Sequence, residues 1–378
     1  MKHFYNKYVY FFKFQKIIIE LNRKGLVRIS TDFSKLSYYK PSEKLENPLH
    51  VNSDICIYGG TSAGVAAAVQ ASRLGLTAVI VEFGRHVGGM TTGGLGRTDI
   101  GNKGAIGGLS REFYKTLGKH YGEEETWFFE PSAAEMVYRE WLEESGVDVY
   151  FEQHLETVKK EDGTIKKIIS ENGHVFTASV FMDCTYEGDL FARAGVSFHV
   201  GREANSTYGE TLNGIHFGHP NHNFKAWVDP YVVKGKPESG LLPGVSGGDL
   251  GFQGQGDSSV QAYNFRICLS YADNRLPFPE PPNYDPKEFE LLLRYIEAGV
   301  WDALNLNKMM PNQKTDLNNF GAVSTDYIGQ NHNWPEGDYE TREKIFQAHV
   351  NNNLGMLYFL CNDERVPDYV RKEALQWG

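Results

Sequence analysis

Between Asp54 and Glu82 the apolar positions fall into three blocks of different texture. Asp54 to Tyr58 is a short apolar run suited to a buried parallel strand, and Val65 to Ala71 is the alanine-rich start of a helix. Thr77 to Val81 returns to a strand-like run and ends on Glu82. Gly59-Gly60-Thr61-Ser62-Ala63-Gly64 joins the first two blocks, so the stretch reads as strand, glycine turn, helix and second strand.

Further along, a helix is expected from Leu109 to about His120, and another opens at Pro131 with Ala134, Val137, Tyr138 and Trp141 on one face. Gly146 stops it, and Val147 to Phe151 gives a short strand. Leu155 to Val158, Ile165 to Ser170 and His174 to Phe176 are strand-like, separated by the hairpin signals Asp162-Gly163 and Asn172-Gly173. This predicts a three-stranded meander, followed by a return strand from Ser179 to Thr185. Val260 to Ser270 alternates as a half-buried strand of a second, antiparallel sheet, with Tyr263 and Phe265 on one face and Asn264 and Arg266 on the other. Residues 286–310 and 338–377 read as helical, separated by the polar loop Asn318 to Trp334.

The glycine turn carries the first chemistry. In the dinucleotide fingerprint three glycines serve tight turning, close approach of backbone to a pyrophosphate, and helix-on-strand packing. Gly59 and Gly64 hold the first and third places, while Thr61 stands at the second. The helix N-terminus still offers free N–H groups and a positive dipole end to a phosphate. Glu82, 18 residues after Gly64, is placed to accept the hydroxyls of an adenosine ribose and to repel a 2′-phosphate, which disfavours NADP. After it come Arg85-His86-Val87-Gly88-Gly89-Met90 and Thr91-Thr92-Gly93-Gly94-Leu95-Gly96, backbone that must bend sharply or approach something large and flat.

Composition narrows the function classes. The chain has 378 residues, 41% of them hydrophobic and 13% aromatic, enough for two domains with buried cores. The net charge of −10 conceals an asymmetry: residues 1–50 hold ten Lys/Arg against four Asp/Glu, leaving 28 against 44, or −16, in residues 51–378. An acidic body argues against nonspecific nucleic-acid binding. Cys56, Cys184, Cys268 and Cys361 are too scattered for a redox dithiol or an iron–sulfur site, and Cys56 and Cys268 lie in apolar strands where packing is their expected role. The aromatic, basic leader is interrupted by Lys7, Lys13 and Lys16, too soon for a membrane span, and lacks a signal-peptide cleavage site. Residues 1–50 are therefore expected to be a poorly ordered extension or a non-native start, and the protein cytoplasmic. His216, His219 and His222 have a spacing that could meet a metal ion, but Gly218 and Pro220 prevent the helix that would align them, so a loop and no metal is the expectation. No G-x-S-x-G elbow, lysine-containing phosphate loop or H-E-x-x-H is present.

Glycine turn, acidic strand end and Arg-x-x-Gly-Gly together resemble the FAD-binding flavoproteins of the glutathione-reductase-like superfamily. YGGTSAGVAAA, GRHVGGMTTGGLGRTDIG, DCTYEGDLFARAGV, QAYNFRICLS and NNFGAVSTDYIG are similar to a bacterial group of FAD-dependent oxidoreductases, some labelled xanthan lyase-like, over roughly 320 residues. The resemblance implies an α/β fold: a Rossmann-like FAD-binding parallel sheet with the meander inserted (residues 51–200), then a second α+β substrate domain (201–378). It implies FAD contacts from Gly59, Gly60, Thr61, Ser62, Ala63, Gly64, Glu82, Arg85, Gly88, Gly89, Met90, Thr91 and Thr92, joined by Leu155, Thr185, Gly188 and Asp189. It also implies that a C-terminal strand and helix completing the flavin domain is missing, so that the chain is truncated with one cofactor wall open.

If flavin is bound, Thr92, Arg97 and Asp99 are pocket candidates, and Arg266 and Asn264 could hold an anionic or hydroxylated substrate. Asp99 and the histidine loop are candidate bases, and Asp99 and Arg266 the catalytic pair named. The leading expectation is hydride transfer from a small polar substrate, a sugar derivative being one candidate, to FAD. The alternatives are a remnant or binding protein that does not retain FAD, and a polysaccharide lyase-like activity.

Overall fold

β1 (His50–Tyr58) leads through Gly59–Thr61 into α1 (Ser62–Arg73), and β2 (Ala78–Val81) follows. These opening elements belong to a computed structural model that describes residues 35–304, 306 and 310–378. Thr61 starts α1 as its N-cap, its hydroxyl accepting the Gly64 amide at 3.4 Å, and Gly75 at φ +80° turns the chain after the helix. Then come α2 (Gly108–Tyr121), α3 (Pro131–Glu144), β3 (Asp148–Tyr150), β4 (Leu155–Glu161), β5 (Thr164–Ser170), β6 (Val175–Asp183) and the short α4 (Asp189–Arg193).

These six strands form one sheet in the order β3-β2-β1-β6-β5-β4. β3, β2, β1 and β6 are parallel, and β5 and β4 extend the sheet antiparallel. The predicted third meander strand and the return strand are one continuous element. β6 pairs antiparallel with β5 at Thr177, Phe176 and Val175, and parallel with β1 from His50↔Val175 to Tyr58↔Asp183. No turn residue interrupts it, and each edge satisfies one row of its backbone groups.

The last four residues of β1, Ile55 to Tyr58, are buried on both faces, as their apolar run requires, whereas His50, Asn52 and Asp54 are exposed. Ile55 and Ile57 join Val65, Ala68, Val69 and Ile80 under α1, α2 and α3, where Phe113, Leu117, Ala134, Val137 and Tyr138 complete the core. Cys56 and Tyr58 face the other way, with Val79, Val81, Leu155, Ile168, Phe176 and Leu190.

A third core lies in the C-terminal part. β7 (Ile267–Ser270) and β8 (Lys314–Leu317) pair antiparallel, and α5 (Glu290–Glu297), α6 (Tyr339–Asn362) and α7 (Asp368–Ala374) pack with them through Leu269, Leu292, Leu317, Phe359, Leu360 and Val370. The strand expected over Val260 to Ser270 is thus confined to its last four residues. Before it the chain is held by side chains and by the close approach of Gly94, where a Cβ would fall 1.7 Å from the Arg266 carbonyl oxygen. Cys268, expected to pack, is exposed, whereas Cys56 and Cys361 are buried. The helix expected over 286–310 is a 3₁₀ turn and α5, ended before Gly299 at φ +89°; residues 305 and 307–309 lie outside the described residues. Pro367 separates α6 from α7 within the stretch 338–377 that reads as helical.

Residues 37–50, expected within the N-terminal extension, belong to the compact part of the chain. Residues 37–378 form one compact unit, Leu45 N–H donates to Asn172 O at 3.0 Å, and His50 already pairs with Val175. Residues 1–34 lie outside the described residues. Among the described residues no helix is long and apolar enough to cross a membrane.

Candidate cofactor site

The carboxyl ends of β1, β2 and β6 converge on the glycine turn, the position where open α/β sheets form a ligand crevice. Gly59 N–H donates to Val81 O at 2.9 Å, and Cys184 N–H to Tyr58 O at 2.8 Å. Thr61 Oγ1 donates to Cys184 O at 2.8 Å. Gly88 N–H donates to Gly60 O at 2.6 Å, and Thr61 and Gly88 form a parallel bridge. Three separate motifs of the sequence therefore meet at one end of the sheet.

Two glycines in the turn are required by the backbone. Gly59 has φ +101°, and a Cβ there would fall 2.8 Å from the 184–185 peptide; on Gly64 it would fall 2.1 Å from Gly59 O. Thr61, at the fingerprint's second glycine place, caps α1 and braces the β6 end with one hydroxyl. Gly60 N–H is committed to Glu82, but the amides of Ser62 and Ala63, in the first turn of a twelve-residue helix, have no partner among the described residues. Ala63 is exposed. Two unpaired amides at a dipole's positive end suit a pyrophosphate.

Glu82 differs from expectation. The residue is 6% exposed, and its carboxylate accepts the Gly60 amide at 2.5 Å through Oε2 and the Gly84 amide at 2.6 Å through Oε1. Both oxygens thus hold main chain, and only their second acceptor sites remain for a ribose. Burial pushes its pKa up, the two amides pull it back, and the charge of Glu187 adds to the rise. Arg85 is exposed and paired with Glu152 at 2.8 Å.

Gly88 (φ +100°) and Gly89 (φ +55°) lead into a 3₁₀ turn, Gly89–Thr91. A Cβ on Gly89 would fall 2.2 Å from the Tyr186 hydroxyl, which accepts the Met90 amide at 2.8 Å. Thr91 completes the turn, and Thr92 Oγ1 donates to Val87 O at 2.6 Å. The turn after β6 is held by Asp183, which the sequence reading passed over although Asp-x-Thr is a local turn signature. Its Oδ1 accepts the amide and hydroxyl of Thr185 (3.0 and 2.7 Å), and its Oδ2 the amides of Leu190 and Phe191 (2.8 and 3.0 Å). Thr185 Oγ1 accepts the Gly188 amide at 2.9 Å, with Gly188 at φ +74°.

Two expected cofactor contacts are turned inward. Leu155 is 1% exposed, and its amide meets the hydroxyls of Tyr58 and Tyr339 at 3.1 and 3.0 Å. Asp189 is 4% exposed and ion-paired with Arg342 and Arg193. Glu187 beside it was also missed. Trp334 Nε1 donates to its Oε1 at 3.1 Å, its Oε2 is buried without a hydrogen-bond partner, and burial raises its pKa.

The catalytic candidates do not come together. Asp99 is exposed and makes no hydrogen bond or ion pair among the described residues. Arg266 is committed to Asp316 through three contacts of 3.0, 2.6 and 2.6 Å, and Asp316 Oδ2 also accepts the amides of Gly96 and Arg97, each at 3.2 Å. Arg266 is a brace for the glycine-rich loop rather than a free anion binder. The histidines have separate partners: His216 meets Gln253 at 2.7 Å, His219 accepts the Asn221 amide at 3.2 Å, and His222 lies 3.4 Å from Asp326.

Sheet order, glycine turn and helix N-terminus define a Rossmann-like dinucleotide-binding protein. The profile of the FAD dependent oxidoreductase family matches residues 54–376, and the chain belongs to that family, whose cofactor is FAD. No curated protein matches it. Among solved structures it is similar to an L-proline dehydrogenase from P. horikoshii, at 15% identity and a TM-score of 0.33, covering 41% of this chain and 59% of that one. It is also similar to an L-amino acid deaminase from Proteus vulgaris, at 17% identity and a TM-score of 0.27, covering 38% and 50% respectively. A bacillithiol disulfide reductase from Staphylococcus aureus matches at 20% identity and a TM-score of 0.27, covering 36% of this chain and 38% of that one. The chain spans 59% or less of the length of these three structures.

Proposed function

We propose that this chain binds FAD in the crevice above β1, β2 and β6 and oxidises a small polar substrate. The observation that carries the reading is the hydrogen bond from Gly88 N–H to Gly60 O, which joins the second glycine motif to the first. The amides of Ser62 and Ala63 take the pyrophosphate, and Glu82 takes the adenosine ribose through its remaining acceptor sites while repelling a 2′-phosphate. The turn of Gly88, Gly89 and Met90, braced by the Tyr186 hydroxyl, would line the cofactor's middle, with Thr92, Arg97 and Asp99 on the loop beyond. When bound, FAD supplies the acceptor for a hydride. A sugar derivative is one candidate for that substrate.

Titration of the purified chain with FAD, followed by flavin fluorescence, tests this. Saturable binding at one FAD per chain, lost in a Gly59→Val variant that remains folded by circular dichroism, is the expected result. A folded chain that ignores FAD would instead be a remnant of the fold without the cofactor.

A further inference from the structure

The Glu82 side of the crevice is already covered by the chain itself. The amides of Tyr38 and Tyr39 both donate to Oε2 of Glu343 on α6, at 2.7 and 2.8 Å. From that anchor the two side chains enter one aromatic cluster, in which Phe83 and His154 also pack on each other at 6.2 Å between ring centroids. The Tyr39 hydroxyl meets Glu171 at 3.1 Å, and its ring lies 4.9 Å from His154, the residue before β4. The ring of Tyr38 lies 5.6 Å from Phe83 and 4.8 Å from Trp334, centroid to centroid.

Phe83 directly follows Glu82. A base attached to a ribose held at Glu82 has Phe83 as the adjoining aromatic face, and a flat base seeks such a face. Tyr38 is within ring-contact distance of that face, so no third ring fits between them. The adenosine end of the proposed cofactor and the Tyr38 side chain call for the same space.

We propose that Ser37–Tyr39 is a strap seated in the adenosine end of the crevice, and that it lifts for FAD to bind. This rests on the reading that FAD binds there. Strap and cofactor then exclude one another, and the apparent FAD affinity is the intrinsic affinity reduced by the fraction of chains whose strap is off. A strap seated in about nine chains of ten weakens FAD binding roughly tenfold. Because the Tyr38 and Tyr39 amides are hydrogen-bonded only while the strap is seated, their exchange with deuterium reports its position directly.

The test is FAD titration of the full chain, of Tyr38→Ala and of Glu343→Ala, with hydrogen exchange followed over residues 37–39. The expected result is that both variants bind FAD roughly tenfold more tightly than the parent, and that FAD speeds exchange at the strap amides of the parent. Should Tyr38→Ala misfold, Glu343→Ala carries the comparison, since it releases the anchor without touching the crevice. Unchanged or weaker FAD binding in the variants, with strap amides that stay protected when FAD is added, would make Tyr38 a wall of the site and overturn the strap while leaving the FAD reading in place. Failure of all three proteins to bind FAD would overturn that reading, and the strap with it.

Discussion

Arg342 on α6 and Asp189 on α4 meet in a buried two-pronged ion pair, Nη1 to Oδ2 at 2.7 Å and Nη2 to Oδ1 at 3.0 Å. The guanidinium also donates to the carbonyls of Trp334 and Pro335 at 2.9 and 2.8 Å. Both side chains are almost fully enclosed, 3% and 5% exposed, so each charge depends on the other. Arg342→Ala leaves a buried carboxylate short of its main partner. A loss of about 3–5 kcal/mol of folding stability is expected, read from urea unfolding midpoints.

Arg266 gives a different kind of prediction. Its contacts to Asp316, together with the bonds from Asp316 to the amides of Gly96 and Arg97, make it a brace of the loop after the second glycine motif. Arg266→Met is expected to cost about 3 kcal/mol of stability by stranding Asp316. A variant with unchanged stability but abolished turnover would return Arg266 to a catalytic role.

At Gly64 the constraint is steric. A methyl group there would fall 2.1 Å from the Gly59 carbonyl oxygen, which belongs to the turn itself. Gly64→Ala is expected to lower stability by about 1–3 kcal/mol and to displace the turn. FAD affinity should fall with it, whereas Gly101→Ala, where a Cβ meets nothing, should leave affinity unchanged; both are read by the same flavin titration.

His154 supplies the pH dependence. Burial among the rings of Tyr39, Phe83 and Tyr339 pushes its pKa down to about 4. Because the folded value lies below the ordinary one of 6.5, the stabilisation is complete above pH 6.5 and is lost as pH falls toward 4. Unfolding midpoints taken at pH 7 and pH 4 should reveal a contribution of about 3 kcal/mol that His154→Phe removes.

The opening strand, turn, helix and second strand were legible because their signals are local: apolar runs, glycines at fixed offsets, and Thr61 before a helix start. Fates decided across the chain were not. Nothing near Arg266 announces Asp316, fifty positions on, and nothing near Asp189 announces Arg342. Glu82 was correctly placed at a strand end, but the two amides that turn its carboxylate inward depend on how tightly the following turn folds back. The return strand was divided in the reading because Thr177-Ala178 interrupts its apolar run. Pairing on both edges overrides that local pattern.

β6 also divides the protein's tolerance of length changes into two kinds. Residues added at Asp162-Gly163, the exposed bend between β4 and β5, only lengthen a surface loop. One residue added inside Thr177–Val180 would exchange the inner and outer side chains from that point onward and push Asp183 past its bonding partners. A distant hairpin and the mouth of the crevice are thus mechanically one piece, and alignment at one end is set by counting residues from the other.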